Sequence, residues 1–211
     1  MKVVALAAAV LASTATLDLR TVILDPTQVG KGYQLIARND GFGVKAAPTL
    51  DLCGRTGYPS EKLRVDRLQV NYLKTQTQIG LSNEVVRYKT GGAKQAMREV
   101  ALHAMSCPRD KAVDTGEKGV GPLTFTITPM KDAKLLKGYV AVKVRAVGKL
   151  TNGTKVDQTS YAVYQRLGDV LSGVYSFGPN TAQQRDFVLR AAEASARTLK
   201  KALAAPKGPP A

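Results

Sequence analysis

Several residue types that carry chemistry are scarce in this sequence. Its 211 residues include no tryptophan, one histidine and two cysteines. One histidine and no Cys-x-x-Cys pair cannot supply the ligand spacing of a Cys/His metal site. The Gly-x-Ser-x-Gly elbow, the phosphate-binding glycine loop and the His-Glu-x-x-His motif are also missing from the sequence. We therefore expect a non-enzymatic protein without a metal or cofactor.

Acidic residues are the second shortage. Lys and Arg number 31 against 16 Asp and Glu, which gives a formal net charge of +15. The cations are spread along the chain, with no run longer than Lys200-Lys201, and aromatic residues make up only 6%. A base-stacking surface is therefore poorly supported, and we do not expect nucleic acid as a partner. A solvated basic surface is the simplest interpretation, and a module that binds anionic wall polymers is an alternative.

The N-terminal stretch "MKVVALAAAVLASTA" has the pattern of an export signal. Lys2 precedes an apolar core from residue 3 to 11, and the small residues Ser13 and Ala15 fit a cleavage site. The apolar core is shorter than the roughly 20 residues that span a bilayer. We expect a signal peptide over residues 1–15 and a secreted or envelope location. Thr14 stands where a lipobox has its cysteine, so we expect no lipid anchor; a buried N-terminal helix or strand is the alternative interpretation.

Export favours a disulfide between the two cysteines. Outside the cytoplasm, two cysteines in one chain most simply pair with each other. Cys53 lies between an apolar stretch and a Gly/Pro-rich turn, and Cys107 comes directly before Pro108. A catalytic pair of Cys107 with His103 is the alternative, although both would stand on the same helix. We expect a structural Cys53–Cys107 bond.

The periodicity of apolar residues predicts an α+β fold. We expect a single antiparallel sheet of about six strands, with helices packed on one face. The domain is expected over residues 24–203, followed by a disordered Pro-rich tail at 204–211. Strands are predicted at 64–73, 81–90, 123–130, 139–150, 154–167 and 170–178. Helices are predicted as a short turn at 26–30 and as longer segments at 91–108 and 180–203.

Three arginines on the first two predicted strands are the candidate ligand-binding residues. Arg64, Arg67 and Arg87 are expected on faces away from the main apolar stripe. Neighbouring strands could gather them into a cationic patch suited to a carboxylate or phosphate group. A solvated sheet face is the alternative interpretation.

Carboxylates within the predicted strands raise one enzymatic alternative. Asp66, Glu84 and Asp157 could meet in space as the acid and base of a carboxylate-dependent hydrolase. Exposed strand positions or ion pairs are the simpler interpretation of all three residues, so we expect no catalytic site here.

Several stretches together resemble a known group of proteins. They are "TLDLCGRTGYPSEKLRVDRLQVNY", "SNEVVRYKTGGAKQAMREV", "SCP" and "YQRLGDVLSGVYSFG". They are similar to actinobacterial secreted proteins and lipoproteins related to the extracellular sensor domain of the PknH kinase. The resemblance implies a sheet backed by helices and a cleft for a small ligand. The second disulfide of the kinase sensor domain and its kinase domain have no counterpart here. We expect an exported envelope protein that binds a small or anionic ligand in a cleft beside the sheet.

Overall fold

The helices and strands follow in an order close to the predicted one. A computed structural model describes residues 17–40, 48–107, 111–132, 134–180 and 183–204. The predicted signal peptide, and the predicted tail beyond Ala204, lie outside these residues. The strands are β1 Gln34–Asp40, β2 Arg64–Lys74, β3 Ile79–Tyr88, β4 Val120–Pro129, β5 Val140–Leu150, β6 Lys155–Leu167 and β7 Val170–Phe177. The helices are α1 Pro26–Val29, α2 Gly92–Ser106 and α3 Gln183–Ala204, with 3₁₀ turns at Leu19–Thr21 and Pro59–Leu63.

All seven strands form one antiparallel sheet in the order β1-β2-β3-β7-β6-β5-β4. The predicted α+β class and single antiparallel sheet are confirmed. The sheet has one strand more than the six expected, because residues 34–40 pair with β2. That segment shows no clean alternation in sequence, and a sheet edge demands less burial than a central strand. The four-strand meander β4–β7 joins the β2–β3 hairpin through the β3–β7 pairing.

The helices cover both faces of the sheet rather than one. α3 packs with Val85 and Val163 in one core cluster, whereas α2 packs with Val86 and Tyr164 in a second cluster. Adjacent residues of a strand point to opposite faces, so α2 and α3 lie on opposite sides. The physical reason is that the central strands β3 and β7 are buried almost throughout. A strand with apolar residues on both faces needs cover on both.

The two long helices differ in how well their predicted faces match the structure. In α3, helical spacing predicts a buried stripe of Val188, Ala191, Ala192, Ser195, Leu199 and Ala202. All are buried except Ala202, which is half-buried near the end of the helix. In α2, helical spacing predicts His103 at the edge of the polar face and Met105 in the buried stripe. The structure reverses these two positions, with His103 buried and Met105 74% exposed. The ring of Tyr58 packs on His103, so a loop covers the side of α2 that an isolated helix would show to water.

A bulge in β2 determines which arginines share a face. Arg64 pairs with Tyr88 and Asp66 pairs with Arg87, which leaves Val65 as an extra residue. Strict alternation would place Arg64 and Arg67 on opposite faces. The additional residue shifts the alternation by one, so both arginines lie on the α2 side of the sheet.

Candidate functional site

A cleft of about 470 Å³ lies on the α2 side of the sheet. Residues 48–54, which we call the strap, form one wall, and the loop at 115–117 forms part of the rim. Strands β2, β3 and β7 supply the floor, and β4, β5 and β6 supply the opposite wall. Charged lining residues are Asp51, Arg67, Glu84 and Glu117; aromatic lining residues are Phe125, Tyr161, Tyr164 and Tyr175.

The strap is held in place by buried apolar side chains and by one carboxylate. Leu50 and Leu52 are buried in the α2-side core. The backbone N–H groups of Thr49 and Leu50 donate to the Glu61 carboxylate at 3.1 and 3.2 Å. The apolar side chains anchor the strap to the core, and the polar contacts fix its backbone against the Pro59–Leu63 turn.

The disulfide expected between Cys53 and Cys107 is present and ties the strap to the end of α2. The chain turns at Cys53 and Gly54, both of which have positive φ, +55° and +72°. A Cβ at Gly54 would lie 3.3 Å from Val113 Cγ1 and 3.4 Å from the Thr115 backbone. The strap therefore approaches the 113–117 loop closely, which brings the two sides of the cleft rim together.

The floor of the cleft contains a buried ion pair between Arg67 and Glu84, which we call the floor pair. Both side chains are less than 5% exposed, and Arg67 Nε donates to Glu84 Oε1. The same oxygen accepts from Thr49 Oγ1 at 2.9 Å. Arg67 Nη2 donates to Gln69 Oε1 at 2.7 Å. The positive charge of the guanidinium is thus balanced by a buried carboxylate in the floor of the cleft.

The second oxygen of Glu84 is less well satisfied. Among the described residues, Glu84 Oε2 accepts only from the Tyr175 hydroxyl, at the long distance of 3.4 Å. Burial raises the pKa of Glu84, and the neighbouring Arg67 opposes that rise. Burial also raises the pKa of Tyr164 and of Tyr175. Both phenols therefore remain protonated and can donate hydrogen bonds at neutral pH.

Two further carboxylates line the rim of the cleft. Asp51 stands on the strap and Glu117 on the opposite loop, and we call them the rim pair. Both residues are exposed, and partial desolvation by the cleft wall raises the pKa of Asp51, which the Glu117 carboxylate raises further. Within the described part of the chain, neither residue has an ion-pair partner. The cleft therefore has three carboxylates and one guanidinium, although the chain as a whole is strongly basic.

The three arginines predicted as a cationic patch do not form one. Arg64 and Arg67 converge beneath the strap, where Arg64 pairs with Glu61 at 3.0 Å and donates to Thr49 Oγ1 at 3.0 Å. Arg87 lies on the opposite face and contacts Asp66 at 3.6 Å. Each guanidinium has a carboxylate partner, so the arrangement serves the strap and the sheet more directly than an external anion.

The three strand carboxylates considered as a hydrolase site are also separated. Asp66 pairs with Arg87, and Asp157 forms an exposed two-bond pair with Arg145 at 2.6 and 2.8 Å. Of the three, only Glu84 lines the cleft. Ion pairing, the simpler interpretation of Asp66 and Asp157, matches their contacts.

His103 does not form a pair with a reactive cysteine, because Cys107 is oxidised in the disulfide. The imidazole lies edge-on to Tyr58, with the ring centroids 5.7 Å apart. Burial lowers the pKa of His103, and the positive charge of Arg55 lowers it further. The residue supports the loop that follows the strap, and its chemistry is that of a packed, neutral imidazole.

Sequence reasoning missed most of the cleft. The Gly/Pro-rich stretch 41–60 and the polar stretch 109–122 predict only loops, so Thr49, Asp51 and Glu117 carry no signal of a site. Tyr164 and Tyr175 lie within predicted strands, but nothing local indicates that they line a cleft.

Among the residues described, no group of three or more His, Cys, Asp or Glu side chains is placed to hold a metal ion. No helix in the described part of the chain is both long enough and apolar enough to cross a membrane.

Comparisons with known proteins show a distant structural similarity. No protein-family model and no curated protein sequence matches the chain. A solved structure, the extracellular domain of PknH from Mycobacterium tuberculosis, is similar with a TM-score of 0.52 and 12% sequence identity. The match covers 86% of this chain and 94% of that chain. At this identity the comparison shows a shared fold, and the chain has the fold of that domain over most of its length.

Proposed function

We propose that this chain is an exported, non-enzymatic domain of the cell envelope that binds a small ligand in the cleft. The observation that carries the proposal is the cleft itself, with its buried polar floor and aromatic wall. Its volume of about 470 Å³ lies within the roughly 300–1,000 Å³ of small-molecule sites. An apolar wall with a few fixed polar groups is the usual composition of such sites.

The disulfide supports the proposed location. Structural disulfides persist in oxidising compartments and are rare in the cytoplasm. Both cysteines of the chain are used in this one bond. The structural neighbour is described as an extracellular domain, which agrees with the signal-like pattern of residues 1–15.

The positions of the carboxylates favour binding over catalysis. Glu84 Oε1 already accepts from Arg67 and Thr49, and the other two carboxylates predicted from sequence lie outside the cleft. A hydrolase of the carboxylate type needs an acid and a base on either side of one bond. The rim pair and Glu84 are instead acceptors positioned around a cavity.

An anionic ligand has less support than a small ligand in general. The cationic patch that would have attracted an anion is absent from the cleft, and Arg67 is engaged by Glu84 and Gln69. Among the described residues, Arg67 is the one Lys or Arg side chain that lines the cleft.

Blocking the cleft tests the proposal. Val144 lines the cleft, and Val144→Trp would fill it. Val147→Trp is the matched control, since Val147 is 40% exposed and three residues further along the same strand. A small-molecule library would be screened by ¹H–¹⁵N NMR for shifts at cleft residues. We expect compounds that shift cleft residues in wild-type and Val147→Trp protein and lose affinity at least tenfold in Val144→Trp. Absence of any cleft-binding compound, or binding unaffected by Val144→Trp, would contradict the proposal.

A further inference from the structure

The charged side chains that line the cleft are three carboxylates and one guanidinium. Glu84 Oε2 is buried and, among the residues described, receives only the 3.4 Å contact from Tyr175. The carboxylates of Asp51 and Glu117 lack a cationic partner in the described structure. The one guanidinium of the lining, Arg67, donates to Glu84 and Gln69.

The rim pair gives the cleft a net negative charge, because Arg67 already balances Glu84. Asp51 on the strap and Glu117 on the facing loop line the same cleft, and two carboxylates that share one site repel each other. A positive charge placed between two such carboxylates relieves their repulsion and gains two charge-assisted hydrogen bonds. The floor pair is formally neutral, so the rim decides the charge preference of the cleft.

The wall favours the same class of ligand. Phe125 and Tyr164 line the cleft and are less than 10% exposed. Aromatic surface suits the apolar body of a ligand, and it also attracts cations through the ring quadrupole.

From these features we propose that the cleft is selective for a small organic cation with N–H donors and an apolar or aromatic body. The ligand's cationic group lies between Asp51 and Glu117, its body contacts Phe125 and Tyr164, and a donor reaches Glu84 Oε2. This inference rests on the proposed function and specifies the ligand class for the same cleft. It reverses the expectation of an anionic ligand.

A matched series of three probes tests the charge preference. Benzamidinium, benzamide and benzoate share one ring and nearly one shape, but carry a positive, a neutral and a negative group. Affinities would be measured by ¹H–¹⁵N NMR titration of the full chain at low ionic strength. We expect benzamidinium to shift residues of the strap and rim and to bind about tenfold or more tightly than benzamide. Benzoate is expected to produce no cleft shifts.

Variants that remove one negative charge test whether the rim pair causes the preference for a cation. Asp51→Asn and Glu117→Gln should each weaken benzamidinium binding severalfold and leave benzamide binding unchanged. Asp186→Asn is the control, since Asp186 is an exposed carboxylate on α3, on the opposite face of the sheet. It removes one negative charge from the chain and should change neither affinity.

The outcomes separate this inference from the proposed function. Equal binding of benzamidinium and benzamide, or tighter binding of benzoate, would overturn the charge preference while leaving a ligand-binding cleft. Benzamidinium binding that is insensitive to Asp51→Asn and Glu117→Gln would also overturn it. The cleft could also bind other compounds, and lose them in Val144→Trp, while benzamidinium shifts no cleft residue. That result would overturn this inference and leave the proposed function standing.

Discussion

Thr49 Oγ1 donates a 2.9 Å hydrogen bond to Glu84 Oε1, although 35 residues separate the two. The same carboxylate oxygen accepts from Arg67 Nε. The strap is therefore bonded directly to the buried ion pair beneath it. A substitution in the floor pair should therefore lower the stability of the fold and also displace the strap, which forms one wall of the cleft.

Removing only the arginine of the floor pair should destabilise the fold strongly. Arg67→Met leaves Glu84 buried without its cation, and breaking a buried pair in this way costs about 3–5 kcal/mol. Urea denaturation would measure the free energy of unfolding. Arg145→Met is the control, because its pair with Asp157 is about half exposed, and it should change stability little.

A double variant shows whether the lost stability comes from the unpaired charge of Glu84. Arg67→Met combined with Glu84→Leu removes both charges, so it should be considerably more stable than Arg67→Met alone. Additive losses in the double variant would mean that the two residues do not interact as a pair. These variants also test the predicted cationic patch. If Arg67 were an exposed ligand-binding residue, replacing it would change the free energy of unfolding little.

Local patterns in the sequence predict most of the sheet. Asn152-Gly153 indicates the β5–β6 turn, and Gly153 indeed has a φ of +86°. The apolar stripe of α3 follows from helical spacing, and its burial is confirmed. These features depend on residues near one another in the chain, where turn chemistry and periodicity act directly.

The cleft could not be predicted in this way, because its contacts link distant segments. The bond from Thr49 to Glu84 depends on the strap crossing β3, and no periodicity describes the strap. The bulge at Val65 moves Arg64 to the face of Arg67, while Arg87 remains on the other. A prediction that assumes strict alternation along the strand cannot locate that extra residue.

His103 should make stability depend on pH. Its folded-state pKa lies below the ordinary 6.5, so the unfolded chain binds the proton first as the pH falls. The stability contributed by the neutral imidazole is complete above 6.5 and is lost as the pH falls from there toward the lowered pKa. Chemical denaturation at about pH 7.5 and about pH 5.5 brackets the start of this window.

His103→Phe isolates that effect, because it keeps a ring against Tyr58 and removes the titrating group. Glu84 and Asp51 have raised pKa values, which favour the folded state as the pH falls, but they are common to both proteins. We expect wild-type protein to lose more stability than His103→Phe over this interval. An equal or smaller loss in wild-type protein would show that the imidazole titrates normally in the folded state.

Export can be tested directly. A bacterial host with a general secretion pathway should release a product that begins near Thr16, as determined by N-terminal sequencing. Leu6→Lys interrupts the apolar core of the signal-like segment and should keep the chain uncleaved inside the cell. Cytoplasmic, uncleaved wild-type protein would contradict the proposed location, whatever the cleft binds.

The disulfide is expected to hold the strap, and through it the wall of the cleft. Cys53 and Cys107 are 54 residues apart, and closing a loop of that length stabilises a protein by about 4 kcal/mol in the chain-entropy model. Neither thiol should react with alkylating reagents in native, unreduced protein. Denaturation should show that Cys53→Ser costs about as much stability as the double Cys→Ser variant, because either change opens the same loop.

The cleft adds a second readout to the disulfide prediction. The strap retains its bonds to Glu61 and Glu84 after Cys53→Ser, so the sheet should stay folded below the melting transition while the strap loses its covalent attachment to α2. Amide hydrogen exchange should then accelerate for the strap, residues 48–54, before it does for β3 or β7. Wild-type protein with free thiols at both positions, or strap exchange unchanged in Cys53→Ser, would show that noncovalent contacts alone position the wall.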